Sequence, residues 1–272
     1  MSVHDSTIKT TAAVDETGAG TNRILQTRGL VKRFGGLTAI DDVDFAVEEG
    51  EMRCLIGPNG AGKSTFLKLI TGRHAPSDGS VYYDGADITD LDSYERVDQG
   101  ISIKFQVPSI YPELTVRQNL RVPLQRVASR SEYDERTEAT LEQFDLLEEI
   151  DTVAANLSHG QQQRLEIGMA MTLEPDLMLL DEPVAGLSIE ETEEIAELLV
   201  ELNDEGVAFV VIEHDIDFVA SIADRVTVLH QGEIFTEGSI EDVRADPEVK
   251  RIYLGESGEA DAEERAGPEA DH

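Results

Sequence analysis

A glycine-rich segment is the feature that most constrains this chain. It reads Gly57-Pro58-Asn59-Gly60-Ala61-Gly62-Lys63-Ser64-Thr65 and fits the phosphate-binding pattern G-x-x-x-x-G-K-[ST] without a mismatch. Glycine lets backbone N–H groups approach phosphate oxygens closely, because it has no Cβ to block them. In this pattern Lys63 adds a positive charge for the β- and γ-phosphates, and Ser64 offers a hydroxyl to Mg²⁺. The segment therefore predicts a site for a phosphate-bearing ligand.

The residues on either side of this loop support the prediction. Glu51–Ile56 is short and mostly apolar, as a buried strand would be, and Ser64–Thr71 has apolar residues at helical spacing. Strand, loop and helix is the arrangement in which the pattern binds phosphate, with the positive N-terminal end of the helix facing the anion. The alternative is a plain glycine-rich turn between a strand and a helix.

The charge of the chain is strongly negative. Its 272 residues include 56 Asp and Glu against 22 Lys and Arg, for a formal net charge of −34. Such a chain repels itself at low ionic strength, and salt screens the repulsion. Because the acids are spread along the whole chain, we expect a cytoplasm with molar salt; the alternative is a merely acidic protein with an acidic tail. The charge also argues against nucleic acid as a partner, since that binding needs a basic surface.

Cysteine content and hydropathy predict an intracellular protein. Cys54 is the only cysteine, so no disulfide can form within the chain, and its place in the strand before the loop predicts a buried small hydrophobe in preference to a redox centre. No apolar run reaches the ~18 residues that span a bilayer. The N-terminal segment Met1–Thr21 is polar and lacks the apolar stretch of a secretory signal.

One compact unit is predicted between two polar ends. Residues 1–22 and the acidic residues 256–272 predict disorder, whereas residues 23–255 alternate between strands and helices. This alternation predicts an α/β fold with a parallel sheet and helices on both faces, and an inserted helical lobe at about residues 107–175. Predicted strands are Ile24–Phe34, Asp42–Val47, Ser80–Asp84, Leu177–Leu180, Val207–Ile212 and Val226–His230; predicted helices are Leu114–Val127, Glu132–Leu147, Gln161–Leu173 and Ile189–Leu202.

Two acids follow one of the buried strands. The run Leu177–Leu180 leads directly into Asp181-Glu182, and ligands bind at the carboxyl ends of strands in such sheets. Asp181 is expected to hold Mg²⁺, directly or through water, and Glu182 to polarise the attacking water as general base. The alternative is two acids that cap a turn.

A polar segment before a predicted helix is a further candidate. In Leu157-Ser158-His159-Gly160-Gln161, Ser158 and Gly160 stand where a helix N-terminus could face an anion. Local physics alone predicts only a capped helix start.

Together these motifs resemble the ATP-binding subunit of ABC transporters, over about Ile24–Gly255. The motifs stand in family order and at family spacing. They are the glycine-rich loop, Gln106 in Ile103-Lys104-Phe105-Gln106, the Leu157–Gln161 signature, Asp181-Glu182, and His214 in Ile212-Glu213-His214-Asp215. Phe34, just before Gly35, is similar to the aromatic residue that stacks on adenine; the alternative is a core residue.

The resemblance implies a fold and a mechanism. It implies a P-loop NTPase (RecA-like) core with a parallel sheet, an N-terminal antiparallel β subdomain and an inserted α-helical subdomain. Two subunits would sandwich two ATP molecules, with the signature of one (Ser158, Gly160, Gln161) capping the γ-phosphate held by the loop of the other. Lys63, Gln106, Glu182 and His214 would act in catalysis, and Ser64, Gln106 and Asp181 would hold Mg²⁺.

The resemblance also implies partners. Pro108–Leu114 would touch the permease, and the chain would lie on the cytoplasmic face of the membrane. A second ATP-binding subunit would pair with it as a heterodimer, although two copies could also form a homodimer. Two rivals are a soluble ABC ATPase without a permease and a nucleotide-binding module without catalysis.

Finer features are similar to the branch that imports branched-chain amino acids and related solutes. They are a long Phe34–Ile40 loop, Glu182-Pro183-Val184-Ala185-Gly186-Leu187 and Ile252-Tyr253-Leu254-Gly255. Two departures from the broad family pattern, His159 and the loop Ala185-Gly186-Leu187-Ser188, look like traits of this branch. Within it, the segments Ser158–Gln161, Leu165–Met169 and Val228–His230 followed by Gly232 look most like the urea importer's ATP-binding subunit. Urea is therefore the expected solute, with branched-chain amino acids or another amide or amino acid as alternatives.

Overall fold

The computed structural model describes residues 22–104 and 110–252, of which the side chains of Ile103 and Lys104 are not described. The strands are β1 (Arg23–Phe34), β2 (Leu37–Glu48), β3 (Met52–Ile56), β4 (Asp78–Tyr83), β5 (Ala86–Asp87), β6 (Ile101–Lys104), β7 (Leu177–Asp181), β8 (Ala208–Ile212), β9 (Arg225–His230) and β10 (Glu233–Gly238). The helices are α1 (Lys63–Ile70), α2 (Ser93–Asp98), α3 (Val116–Val127), α4 (Tyr133–Gln143), α5 (His159–Met171), α6 (Ile189–Asp204), α7 (Ile216–Ile222) and α8 (Ile240–Ala245), with 3₁₀ turns at Leu147–Glu149 and Ala154–Asn156. Residues 247–252 are also helical.

A six-stranded sheet forms the centre of the molecule. Its strand order is β10-β9-β3-β8-β7-β6, and all neighbours are parallel except β10, which pairs antiparallel with β9. Strands β3, β7 and β8 are buried along their whole length. Both faces of a parallel sheet are covered, so its inner strands are continuous apolar runs.

Both edges of this sheet differ from the sequence prediction. Neither β6 nor β10 was predicted, and the antiparallel β10 makes the sheet mixed. Strand β6 is only four residues long and includes Ser102 and Lys104, which weakens its strand signal. Strand β10 alternates between exposed and half-buried residues, as an edge strand with one solvated face does.

Two clusters of buried side chains cover the two faces of the central sheet. Along β3, Met52, Cys54 and Ile56 pack into one cluster and Leu55 into the other, because successive side chains of a strand point to opposite faces. The first cluster holds side chains from α3 to α8, and the second holds side chains from α1 and the N-terminal sheet. Cys54 is a buried free thiol, which confirms its prediction as a small hydrophobe.

The N-terminal strands form a separate antiparallel sheet of order β2-β1-β4-β5. The turn between β1 and β2 consists of Gly35 and Gly36, and Phe34 pairs with Leu37. Gly35 has a φ of +56°, which glycine adopts without cost and which a tight hairpin needs. The predicted long Phe34–Ile40 loop is therefore wrong, since strand β2 already begins at Leu37.

Between β6 and β7 the described residues are helices and turns, apart from one isolated bridge between Thr115 and Val153. Helix α4 ends at Gln143, four residues before its predicted end. Asp145 has a φ of +53°, and the Leu146 N–H donates to the Leu141 carbonyl across it at 2.8 Å. This left-handed C-terminal motif ends the helix and turns both Phe144 and Leu146 into the core.

Helix α1, which follows the glycine-rich loop, is held at its C-terminal end by a buried arginine. Arg96 in α2 donates to the carbonyl oxygens of Leu69 (2.9 Å) and Ile70 (2.6 Å), and also to those of Thr89 (2.9 Å) and Leu91 (3.0 Å). The last carbonyls of a helix have no partner within the helix, so this guanidinium satisfies them. Burial lowers the pKa of Arg96 to about 10, with Asp87 opposing the shift.

No helix in the described ranges is long and apolar enough to cross a membrane.

Candidate active site

The glycine-rich loop joins β3 to α1, as predicted, and it is packed tightly against its neighbours. Gly57, Gly60 and Gly62 have φ values of +150°, +76° and +109°, which L side chains rarely adopt. A Cβ on Gly57 would lie 2.1 Å from the Leu229 carbonyl oxygen, and one on Gly62 would lie 2.6 Å from the Ala39 carbonyl oxygen. The alternative of a plain turn does not account for three such glycines, two of them in close packing.

The lysine of the motif lies across its own loop. The Nζ of Lys63 donates to the carbonyl oxygens of Gly57 and Pro58, the latter at 3.0 Å. The ammonium charge is thereby held beside the loop backbone. Helix α1 begins at Lys63, and its ladder of hydrogen bonds starts with the Phe66 N–H on the Gly62 carbonyl at 2.8 Å. The N–H groups before Phe66 point out of the positive end of the helix.

Two other segments support the outer side of the loop. The Gly232 N–H, in the turn between β9 and β10, donates to the Ala61 carbonyl at 2.9 Å. The Asp41 N–H of β2 donates in turn to the Gly232 carbonyl at 2.9 Å. The N-terminal sheet and the central sheet thus both position the loop.

The two acids and the histidine of the predicted site lie at the carboxyl ends of the parallel strands, where the glycine-rich loop also begins. Strand β8 lies between β3 and β7, with Ile212 opposite both Leu55 and Asp181. The Glu182 N–H extends the pairing of β7 with β8 by donating to the Ile212 carbonyl at 2.9 Å. The residues that follow β3, β7 and β8 therefore leave the sheet side by side, in the crevice where ligands of such sheets bind.

Glu182 and His214 face each other within this crevice. The Nδ1 atom of His214 lies 3.8 Å from Oε1 of Glu182, and the Glu182 side chain is 25% exposed. Glu182 has a φ of +50°, an uncommon conformation for a residue with a side chain. Asp181, one residue earlier, is 7% exposed. Strained backbone at a cluster of titratable side chains is typical of active sites.

Glu213 is a member of this cluster that the sequence analysis missed. Its side chain is 0% exposed, and its two oxygens accept backbone hydrogen bonds from Val184 (3.1 Å) and His214 (3.0 Å). Burial raises the pKa of this carboxyl group, while these bonds oppose the shift. The available signal was an acid directly after the fully apolar strand β8, a place where an unpaired carboxylate would be costly.

The signature residues form a capped helix start, as local physics predicts. Ser158 precedes α5, its Oγ accepts from the Gln161 N–H at 3.2 Å, and the Gln161 side chain accepts from the Ser158 N–H at 3.0 Å. A carboxylate from another helix also lies here. Oε1 of Glu191 accepts from the Gly160 N–H at 3.0 Å and from the Ser158 hydroxyl at 3.2 Å.

Ser188, which differs from the broad family pattern, still caps the N-terminus of α6. The Ser188 Oγ accepts from the Glu191 N–H at 3.2 Å, and the Glu191 carboxylate accepts from the Ser188 N–H at 3.0 Å. Hydrogen bonds from the backbone of Ser188 and Gly160 lower the pKa of Glu191. Glu191 therefore joins the loop after the general-base candidate to the signature helix.

The two remaining candidates are Phe34, which the structure describes, and Gln106, which it does not. Phe34 is 41% exposed, so it is not a core residue; its ring packs edge-on against His74 at 5.5 Å, with Lys32 at 5.0 Å. Gln106 and the beginning of the segment expected to touch the permease lie outside the described residues.

The arrangement fits a nucleoside triphosphate with Mg²⁺. The tightly packed glycine loop, the Lys63 ammonium and the start of α1 form an anion site. Ser64 and Asp181 offer the hard oxygen ligands that Mg²⁺ prefers, and Glu182 with His214 offers a base and a hydrogen-bonding partner beside it.

Comparison with known proteins identifies the family of the chain. The family model for the ABC transporter matches residues 40–185. The high-affinity branched-chain amino acid transport ATP-binding protein LivG of Salmonella typhimurium is 38% identical over 251 residues, covering 86% of this chain and 98% of the relative. The protein of the same description, BraF, of Pseudomonas aeruginosa is 37% identical, covering 86% and 98%. The probable LivG of Archaeoglobus fulgidus is 35% identical, covering 86% and 96%.

Solved structures confirm the predicted fold class. The ADP conformation of MJ1267, an ATP-binding cassette of an ABC transporter, superposes with a TM-score of 0.79 at 35% identity and covers 86% of this chain and all of that one. A dimeric, post-hydrolysis state of the cassette MJ0796, bound to ADP and Pi, has a TM-score of 0.71 at 30% identity, covering 79% and 98%. The chain therefore belongs to the ABC transporter family, as one of its ATP-hydrolysing subunits.

Proposed function

We propose that ATP hydrolysis by this chain drives the import of branched-chain amino acids through an ABC permease. The observation that carries the hydrolysis part of the proposal is the contact between Glu182 and His214 beside the glycine-rich loop. The loop can bind a triphosphate, and the two side chains can activate water next to it. The cargo is inferred from the relatives, which are named as branched-chain amino acid transport proteins at 35–38% identity.

Urea is the second candidate cargo. The features that favour it are the signature Ser158-His159-Gly160-Gln161, the helix segment Leu165–Met169, and Val228–His230 followed by Gly232. The relatives favour branched-chain amino acids instead. In either case the permease and an external binding protein would recognise the solute, because the site in this chain is built for phosphate.

Each side chain of the site has a proposed role. Residues 57–65 hold the phosphates, Lys63 neutralises their negative charge, and Phe34 stacks on the adenine ring. Ser64 and Asp181 hold Mg²⁺, together with Gln106. When bound, Mg²⁺ would neutralise charge that develops on the phosphate oxygens. Glu182 accepts a proton from the attacking water as general base, and His214 hydrogen-bonds the γ-phosphate and orients that water.

The proposed working unit contains two ATP-binding subunits. Each ATP lies between the glycine-rich loop of one subunit and Ser158, Gly160 and Gln161 of the other. A second, different subunit makes a heterodimer, and two copies of this chain make a homodimer. The pair lies against the permease on the cytoplasmic side of the membrane, in a high-salt cytoplasm.

Replacing Glu182 with Gln tests the catalytic assignment. The variant should bind ATP as the wild type does and lose nearly all hydrolysis, because the glutamine amide cannot accept the proton of the water. Turnover within a few-fold of the wild type would overturn the assignment and favour another base.

Lys63→Ala should instead lose ATP affinity, and unchanged affinity would remove Lys63 from the phosphate site. A module without catalysis would show no hydrolysis in the wild type.

Transport by cells distinguishes the two cargoes. Deletion of this subunit should abolish uptake of radiolabelled leucine, and the wild-type chain but not its Glu182→Gln variant should restore uptake. Loss of urea uptake with normal leucine uptake would favour urea. Normal uptake of both solutes would exclude both cargoes and leave either another amide or amino acid as the solute or a soluble ABC ATPase without a permease.

A further inference from the structure

The contact between α5 and α6 places a carboxylate on the start of the signature helix. Glu191 binds both helix starts at once: one oxygen accepts from the Ser188 N–H that begins α6, and the other accepts from the Gly160 N–H and the Ser158 hydroxyl that begin α5. The three bonds have lengths of 3.0 to 3.2 Å. An anion therefore already lies at the N-terminal end of α5.

This carboxylate holds the donors that the proposed function gives to the γ-phosphate of the partner subunit. In that function, the Ser158 hydroxyl and the Gly160 N–H cap a phosphate oxygen. A carboxylate oxygen and a phosphate oxygen are both anionic acceptors, and both suit the positive end of a helix. Two anions on one pair of donors repel each other, so they exclude one another.

We propose that Glu191 is an internal stand-in for the γ-phosphate, which holds the signature donors until ATP of the partner subunit displaces it. The inference rests on the proposed two-subunit ATP site. Glu191 acts through Ser158 and Gly160 and does not touch the reacting atoms in this role, so it is a positioning residue. Its displacement is a cost of closing the ATP sandwich.

The local packing is built around this carboxylate. Gly160 is buried, and a Cβ at its position would lie 2.9 Å from Cγ and Oε1 of Glu191. Any side chain at residue 160 would push the carboxylate off its donors. A residue to which the proposed function gives a contact with the γ-phosphate thus also leaves room for Glu191.

The same contact links the signature to the catalytic crevice. Glu191 binds Ser188, and the loop that ends at Ser188 starts at Glu182. When the Glu191 carboxylate leaves Gly160, its Oε1 atom loses its bonds to α5, and the link between α5 and α6 is broken on that side. Binding of the partner's ATP would thereby change the contacts at the end of the loop that follows the proposed general base, Glu182.

Closure of the ATP sandwich tests the proposal. The background is Glu182→Gln, in which bound ATP is not consumed, and the probe is MgATP. The ATP concentration for half-maximal association is measured for two copies of the chain, and in parallel for the chain with the second ATP-binding subunit of its transporter. In whichever pair closes, adding Glu191→Gln should lower that concentration about 5–10-fold, a coupling of about 1–1.4 kcal/mol.

The neighbouring acid provides the matched control. Glu190 is exposed, carries the same charge one residue away and is not among the contacts of the signature, so Glu190→Gln should leave the midpoint unchanged. Glu191→Ala serves as the second variant, since it removes the carboxylate without leaving an amide against the donors. Midpoints that stay equal or rise in both Glu191 variants would overturn the proposal and leave Glu191 a structural cap. If neither pair closes with ATP in the Glu182→Gln background, the two-subunit function itself is wrong, and this inference fails with it.

Discussion

The buried carboxylate of Glu213 accepts the backbone N–H of Val184 at 3.1 Å, and this bond joins two loops of the candidate site. Val184 lies two residues after Glu182, and the other oxygen of Glu213 accepts the N–H of His214 at 3.0 Å. One side chain thus sets the spacing between the general-base candidate and the histidine that faces it. A group that orients catalytic side chains in this way acts much as an outer-shell ligand does at a metal site.

We predict that Glu213→Gln lowers kcat about 10–100-fold with little change in the KM for ATP. The glutamine amide places N–H donors against one of the two backbone N–H groups, so one loop loses its acceptor and Glu182 moves relative to His214. The glycine-rich loop keeps its own support from Gly232 and β2, so ATP binding is retained. Steady-state kinetics separates the two parameters.

A double-mutant cycle tells this positioning role from a general loss of structure. If Glu213 acts through His214, then adding Glu213→Gln to His214→Ala should cost much less than it does in the wild type. Full additivity of the two changes in kcat would contradict the role. Equal circular dichroism and melting temperatures of the single variants exclude misfolding as the cause.

We predict that Gly57→Ala displaces the glycine-rich loop and weakens ATP binding. The new Cβ would meet the Leu229 carbonyl at 2.1 Å, and backbone atoms of a buried strand cannot move aside easily. We expect a loss of about 3 kcal/mol in the free energy of unfolding. Urea denaturation and nucleotide titration measure the two effects.

A second glycine separates steric conflict from backbone strain. Gly206 has a φ of +105°, but a Cβ there would meet no heavy atom within 4 Å. Gly206→Ala should therefore cost only about 1–2 kcal/mol and leave ATP affinity unchanged. A loss of stability in Gly57→Ala no greater than in Gly206→Ala would show that the packing against Leu229 is not limiting.

We predict that Arg96→Met destabilises the protein by about 3–5 kcal/mol, because the carbonyl oxygens of four residues lose the guanidinium donor and the bonds to two of them, Leu69 and Ile70, are buried. Arg96→Lys should recover only part of this loss, since an ammonium lacks the planar fork that reaches Leu69, Ile70, Thr89 and Leu91 together. Urea midpoints at a fixed KCl concentration measure both changes. Equal stability of Arg96→Met and the wild type would contradict the role of Arg96 at the end of α1.

Strong local patterns were enough to predict the centre of the fold. Strands β3, β7 and β8 are apolar runs of strand length, and helix α6 has its apolar side chains at helical spacing; all four elements were predicted within two residues of their bounds. Short motifs predicted the phosphate loop, Asp181, Glu182 and His214. The parallel strands then bring these residues to the same end of the sheet.

The missed features depend on contacts between distant residues. Helix α2 has six residues and a single buried side chain, Arg96, which no apolar pattern reveals because its partners lie in α1 and before α2. Glu213 and Glu191 were visible as acids, but their roles come from the backbone N–H groups of loops that only folding brings close. The Phe34–Ile40 loop was wrong because a two-glycine turn looks the same in sequence whether the next residues pair or not.

The surface of α6 provides a physical basis for a dependence of stability on salt. Glu193, Glu197 and Glu201 follow one another at a spacing of four residues, and all three are exposed. Side chains at this spacing have Cβ atoms about 5–6 Å apart, and like charges on them destabilise a helix by a few tenths of a kcal/mol per pair. The Debye length falls from about 10 Å at 0.1 M salt to about 3 Å at 1 M, so only the higher salt screens such neighbours.

We therefore expect the melting temperature and ATPase activity to rise steeply as KCl increases from dilute buffer to molar concentrations. Replacing Glu193, Glu197 and Glu201 together with Gln should raise the melting temperature in dilute buffer and flatten its dependence on KCl, because the repulsion is removed in advance. An equal osmolality of sucrose serves as the control, since it strengthens burial without screening charge. A wild-type protein that is fully folded and active in dilute buffer, and gains nothing from molar KCl, would show that the net charge of −34 is not an adaptation to salt.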